Sequence, residues 1–118
     1  LDEKVFMHGW SKAPFDQASP ADYLILPSKY EGFAMVLVEA AGHGLPVISS
    51  DCPTGTKDIV TSDNGFLFKN NNQVDFIKAL GVASRKRGNF DVGKVRKSVA
   101  KFDESTYFKR VDDILVTL

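Results

Sequence analysis

Four short runs constrain this chain more than any other feature. They are "KVFMHG", ending at Gly9; "ADYLILPS", stopped by Pro27; "LPVISSD"; and "NGFLFK". Their apolar residues stand side by side instead of alternating with polar ones. That pattern implies burial on both faces, as in a parallel sheet covered by helices. Segments with helical spacing lie between and after them. A weak helix is expected over residues 14–19, a long one within "YEGFAMVLVEAAGHG", and a turn with a short helix at residues 56–60. The stretches "NNQVDFIKALGVASRKRG", "VGKVRKSVAKF" and "DESTYFKRVDDILVTL" supply three more. Strands alternating with helices predict βαβ units, an α/β fold with an open parallel sheet and helices on both faces. Asn71 or Asn72, and Asp103, are predicted N-caps.

The composition excludes several functions. Among 118 residues, fifteen basic and fifteen acidic side chains cancel, which gives no general reason to expect nucleic acid as a partner. The one basic cluster, Arg85 to Gly88, reads as a solvated helix end. Cys52 is the only cysteine, so there is no internal disulfide framework or cysteine-based zinc site, and a reducing cytoplasm fits. As a nucleophile Cys52 would have only His8 or His43 for a base. No run approaches the ~18–20 apolar residues of a membrane span. The length is that of one domain or a piece of one, and a start without methionine, running straight into a strand-like segment, leads us to expect part of a longer chain.

Glu31 and Glu39 bracket a run that is otherwise almost wholly apolar. With a helix starting near Gly32, Phe33, Val36, Leu37 and Ala40 form one stripe, and Glu31, Met35 and Glu39 lie opposite. Eight residues put the acids about 12 Å apart along the axis. A glycosidase pair sits roughly 5 to 9.5 Å apart across one bond, so this spacing suits the two ends of a longer ligand better. Carboxylates only accept hydrogen bonds, and paired sugar or ribose hydroxyls match them. The unpaired amides at the helix start, beside a glycine without a side chain, would suit phosphate. The plainer reading remains open: a first-turn acid favoured by the helix dipole, and a solvent-facing one. Against it, Glu39 has Met35, Val38 and Gly42 for company, and only His43 as a nearby partner.

Taken together, "SKYEGFAMVLVEAAGHGLPVISSD", "NGFLF" and "FDESTYFKRVDDIL" resemble the C-terminal nucleotide-sugar domain of retaining glycosyltransferases of the GT-B fold. The family is the large group 1 type (glycosyltransferase family 4) carrying an E-x7-E motif. "SSDCPTGTKDIV" is most similar to the lipopolysaccharide-core hexosyltransferases, such as the UDP-galactose-dependent enzymes. The resemblance spans nearly the whole chain. It implies a Rossmann-like sheet forming part of the C-terminal half of a GT-B fold. Residues 1–118 would then be a single, partial nucleotide-sugar domain, with the N-terminal acceptor domain absent.

Carried over by position, the resemblance implies that Glu39 binds the donor ribose and that Glu31 holds hydroxyls of the transferred sugar at the catalytic centre. The Gly32 and Phe33 amides would take diphosphate or sugar. Gly9 and Trp10 would lie in the nucleobase region, where Trp10 is equally readable as a rim residue over the core. Thr54 and Gly55, with Thr56, would form a loop near the donor. His8 and His43 read as structural, and Asp58 stands where the family usually has glutamate. No metal or other cofactor is implied; the nucleotide sugar is a substrate. The partners implied are that donor and a glycan or glycolipid acceptor held by the other domain, in the cytoplasm or at the inner face of its membrane, with peripheral membrane association left open and no nucleic acid. The family's diphosphate-neutralising Arg and Lys would precede residue 1, leaving only the helix amino end for that task. Alone, the chain is expected to transfer no sugar. An epimerase or phosphorylase on the same fold, or a non-catalytic binding domain, are the alternatives.

Overall fold

The computed structural model describes residues 3–18, 20–53 and 55–117; Ser19 and Thr54, both part of the expectations above, lie outside them. Three strands form one parallel sheet in the order β1 (Leu24–Leu26), β2 (Val47–Asp51), β3 (Gly65–Lys69). Leu24 pairs with Val47, and Val47 in turn with Gly65. Helix α1 (Pro14–Gln17) precedes the sheet, α2 (Met35–Gly42) links β1 to β2, and α3 (Thr56–Ile59) links β2 to β3. After β3 come α4 (Gln73–Arg85), α5 (Val92–Ser98), a 3-10 turn (Ala100–Phe102) and α6 (Glu104–Thr117).

The expectation of a sheet covered on both faces holds. On one face Val47 packs with Leu37, Ala40 and Ala41 of α2, Ile59 of α3 and Val95 of α5. On the other, Ile48 and Phe68 pack with Ala79 and Ala83 of α4. Neighbouring residues of β2 thus serve opposite cores, which is why its sequence does not alternate.

Local chemistry sets the helix ends. Helix α2 closes in a Schellman motif: Leu45 N–H donates to the Ala40 carbonyl at 3.0 Å, and Gly44 N–H to Ala41 at 2.9 Å. Gly44 supplies the left-handed φ of 82° that the motif needs. Asn72 caps α4 by accepting from Asp75 N–H at 2.9 Å, and Asp103 accepts from Thr106 N–H at 2.8 Å at the start of α6. The buried Asn64 knots three elements together. Its amide donates to the Ile59 carbonyl and to Ser98 Oγ, and its oxygen accepts from Thr61 N–H.

Two expectations fail. Residues 5–10 form no strand, and Val5, Phe6, Met7 and Trp10 are exposed; an apolar run becomes a strand only where another strand offers a ladder, and none of those described does. Helix α2 begins at Met35, not near Gly32, so the stripe is Ala34, Leu37, Ala40 and Ala41, while Phe33 turns away to meet Phe102 edge-on at 5.3 Å. The molecule measures 57 × 29 × 28 Å with a radius of gyration of 15.8 Å, against about 13.5 Å for a compact domain of this length.

Gly65 opens β3 so close to β2 that a Cβ there would lie 1.9 Å from the Val47 carbonyl oxygen. Gly65→Ala is therefore expected to lower stability by roughly 1–3 kcal/mol, the usual penalty of overpacking. An unchanged urea midpoint for this variant would show that the strands are not held this closely.

Candidate functional site

All three strands run the same way, so the loops at their carboxyl ends gather on one side of the sheet, the side where ligands of open α/β sheets bind. Residues 27–34 follow β1, residues 52–55 follow β2, and residues 70–72 follow β3. Pro27 has no N–H to continue the ladder and releases the chain into the first loop.

The first loop is tied down from the other two strands. Ser50, buried in β2, donates its hydroxyl to the Ser28 carbonyl. Asn70, just past β3, donates its side-chain amide to the Lys29 carbonyl at 3.0 Å. Gly55, at φ 99°, lies against Gly32 so closely that a Cβ would sit 3.3 Å from its carbonyl oxygen. Within the loop, Ser28 Oγ donates to Glu31 Oε1 at 2.6 Å. Glu31 is half-buried and Gly32 is exposed, with nothing within 4 Å of where a Cβ would stand, which leaves room for a ligand on that side of the backbone.

Around this loop the surface is concave. One recess of about 510 Å³ is lined by Asp51, Cys52, Gly55, Lys57, Asp58 and Asn70. Another, of about 340 Å³, is lined by Lys29, Ser50, Asn70 and the start of α4. Lys57 and Asp51 pair at 3.3 Å. Lys29, and Lys57 with its charge shared by Asp51, stand at the carboxyl ends of the strands, where the sequence reading leaves only the helix amino end to face a diphosphate. A recess of about 500 Å³ between Phe66, Phe90, Lys86 and Lys94 lies beside Gly65, at the opposite end of the strands. Fold geometry favours the carboxyl side.

The remaining predicted residues stand as follows. Gly32 and Phe33 precede the helix, so their amides belong to the loop, not to the first helical turn, and the 12 Å axial spacing does not apply to Glu31. Glu39 is exposed on α2, and its carboxylate has no hydrogen bond or ion pair among the described residues. His43 does not serve it: the His43 ring contacts the Glu39 backbone oxygen at 2.8 Å and stacks on Phe15, a structural role as expected. Gly9 has a left-handed φ of 72°, and Trp10 is 83% exposed. Cys52 is buried. Asp58 is an exposed first-turn acid of α3. Among the described residues, no three His, Cys, Asp or Glu side chains group as metal ligands would. Ser28, Ser50, Lys57 and Asn70 carry no prior signal beyond their positions just inside or past strand ends.

The sequence profile of the glycosyl transferases group 1 matches residues 1–84. The chain belongs to this family. It is 29% identical over 122 residues to the lipopolysaccharide 1,6-galactosyltransferase of Escherichia coli K12, covering 99% of this chain and 34% of that protein. Over 81 residues it is 32% identical to an Escherichia coli UDP-Gal:alpha-D-GlcNAc-diphosphoundecaprenol alpha-1,3-galactosyltransferase, covering 68% of this chain and 21% of that protein. The solved apo structure of the lipopolysaccharide outer core galactosyltransferase WaaB superposes with a TM-score of 0.86 at 30% identity, over 99% of this chain and 34% of that one. The GT-B architecture and the likeness to lipopolysaccharide-core enzymes expected from the sequence are borne out. The chain spans about a third of the length of the lipopolysaccharide galactosyltransferases it matches.

Gly55 bears on the site directly. A side chain there is strained by the positive φ, at about 1–3 kcal/mol, and presses on the Gly32 carbonyl. Gly55→Ala is expected to destabilise the chain and to shift the backbone amide resonances of Gly32 and Phe33 while leaving those of α4 in place. Resonances of residues 31–33 that do not move would place the second loop away from the first.

Proposed function

We propose that this chain is the nucleotide-sugar-binding part of a retaining hexosyltransferase. The whole enzyme would move a hexose from a UDP-linked donor to a hydroxyl of a glycan or glycolipid in cell-surface polysaccharide or lipopolysaccharide synthesis. Family membership and the galactosyltransferase relatives support the reaction class. The observation that carries the assignment to this chain is the tied loop of Glu31, Gly32 and Phe33 at the carboxyl ends of a parallel sheet.

In this reading the donor lies across that end of the sheet. The Glu31 carboxylate, half-buried and held by a serine, accepts hydrogen bonds from hydroxyls of the transferred sugar. The exposed amides of Gly32 and Phe33 face the diphosphate, with Lys57 and Lys29 near enough in the fold to offset its charge. Glu39, one helix face further on and without an intramolecular partner among the described residues, accepts from the ribose hydroxyls. Gly9 and Trp10 border the nucleobase; Thr54 belongs to the same reading from sequence alone. The chemistry asks no metal of these residues: transfer needs the leaving diphosphate stabilised by cations and oriented amides.

Residues 1–118 are read as one partial domain whose acceptor-binding counterpart is a separate unit. The exposed Val5, Phe6 and Met7 at one end, and Ile114, Leu115 and Val116 at the other, are the surfaces such a counterpart would cover. Alone, the chain binds donor weakly and transfers nothing. None of the described helices is long and apolar enough to cross a membrane, and a site of action in the cytoplasm or at its membrane face fits an activated-sugar donor. Epimerisation or phosphorolysis is disfavoured by relatives that are all transferases among those compared above.

Titration of the chain with UDP, GDP and ADP and their hexose conjugates, followed by Trp10 fluorescence, tests the donor. UDP compounds are expected to bind most tightly. Glu39→Ala should weaken UDP and UDP-hexose alike by about tenfold, the value of one hydrogen bond to a charged group. It should also erase the difference between UDP and its 2′-deoxy analogue. Unchanged affinity in Glu39→Ala would remove the ribose assignment.

A further inference from the structure

We infer that Ser28 is a positioning residue that orients the Glu31 carboxylate and thereby contributes to the site's preference for a nucleotide sugar over the bare nucleotide diphosphate. The inference rests on the reading of Glu31 as a sugar ligand and goes one step behind it. Glu31 lies in a loop ahead of α2, and a glutamate has three torsions to settle before it can meet a sugar. Ser28 Oγ lies 2.6 Å from Glu31 Oε1, the length of a charge-assisted O–H···O⁻ bond. A serine hydroxyl has one proton to donate, and here the carboxylate takes it.

Ser28 is itself anchored. Ser50, 1% exposed within β2, donates to the Ser28 carbonyl. A chain of two hydrogen bonds therefore runs from the buried central strand to the carboxylate: Ser50 hydroxyl to Ser28 backbone, then Ser28 hydroxyl to Glu31. The two links do different work. Ser50 holds the backbone of the loop, and Ser28 holds only the carboxylate. Removing the Ser28 hydroxyl leaves the backbone link in place, so the two roles separate experimentally.

The experiment compares UDP-galactose with UDP by NMR titration of the 118-residue chain and its variants, with side-chain relaxation of Glu31 measured before ligand is added. In Ser28→Ala, the Glu31 side chain should become measurably more mobile, while backbone amides of residues 28–33 keep their order. UDP affinity should stay the same, and the preference for UDP-galactose should fall about tenfold, the loss of one charge-assisted hydrogen bond. Ser28→Thr, which keeps the hydroxyl, should restore both readouts. Unchanged Glu31 mobility in Ser28→Ala overturns the inference whether or not ligand binds. If Glu31→Ala abolishes the preference and Ser28→Ala does not, the inference fails and the role of Glu31 stands. If Glu31→Ala itself leaves the preference intact, both fail.

Discussion

Everything in this chain is arranged around the burial of β2 on both faces. Val47, Ile48, Ser49 and Ser50 are each at most 1% exposed, and both backbone edges of the strand are used, by β1 and by β3. A strand in that position has no room for variation. Its odd and even side chains enter two separate cores, and its neighbours must be parallel because helices return the chain each time. The intimacy of the β2–β3 pair leaves no space for a side chain at Gly65. The Asn64 knot then fixes where β3 begins relative to α3 and α5.

From this follows the site. Parallel strands end together, so three loops meet where antiparallel ones would scatter. The meeting is stabilised by polar side chains at the strand ends, which reach sideways to a neighbouring loop. Ser50 does so from within the sheet and Asn70 from just beyond it. Gly55 allows the second loop to press on the first. The result is a loop held at Ser28, Lys29 and Gly32 that carries the exposed Gly32 and Phe33. Such preorganisation is what a binding site for a flexible, highly charged donor requires, because the loop then loses little entropy when the ligand arrives.

The sequence made the architecture legible because its signals are local. Unbroken apolar runs announced β1, β2 and β3; Asn71 or Asn72, and Asp103, announced the starts of α4 and α6. The run at Val5–Gly9 carried the same apolar signal without becoming a strand, since strand formation depends on a partner that local sequence does not specify. The stripe of α2 kept Leu37 and Ala40 but took Ala34 and Ala41 in place of Phe33 and Val36, for a similar reason. Phe33 has the hydrophobicity of a core residue, but its ring is claimed by Phe102 from the far end of the chain. Of the site, Glu31, Gly32 and Glu39 stood out from their spacing and company, and Phe33 and Gly55 were named through the family resemblance. The serines, the lysines and the asparagine that complete it were not, because each acts through one hydrogen bond or one charge that no periodicity records.

The central claim is that the carboxyl-end loops hold the donor. It is tested most directly by mapping amide shifts of the 118-residue chain as UDP-galactose is added. The account predicts that the largest shifts fall on Glu31, Gly32, Phe33, Glu39 and Gly55, with Phe66, Lys86 and Phe90 at the other end of the strands unmoved. Shifts concentrated around Phe66 and Phe90, with none at residues 31–33, would contradict it.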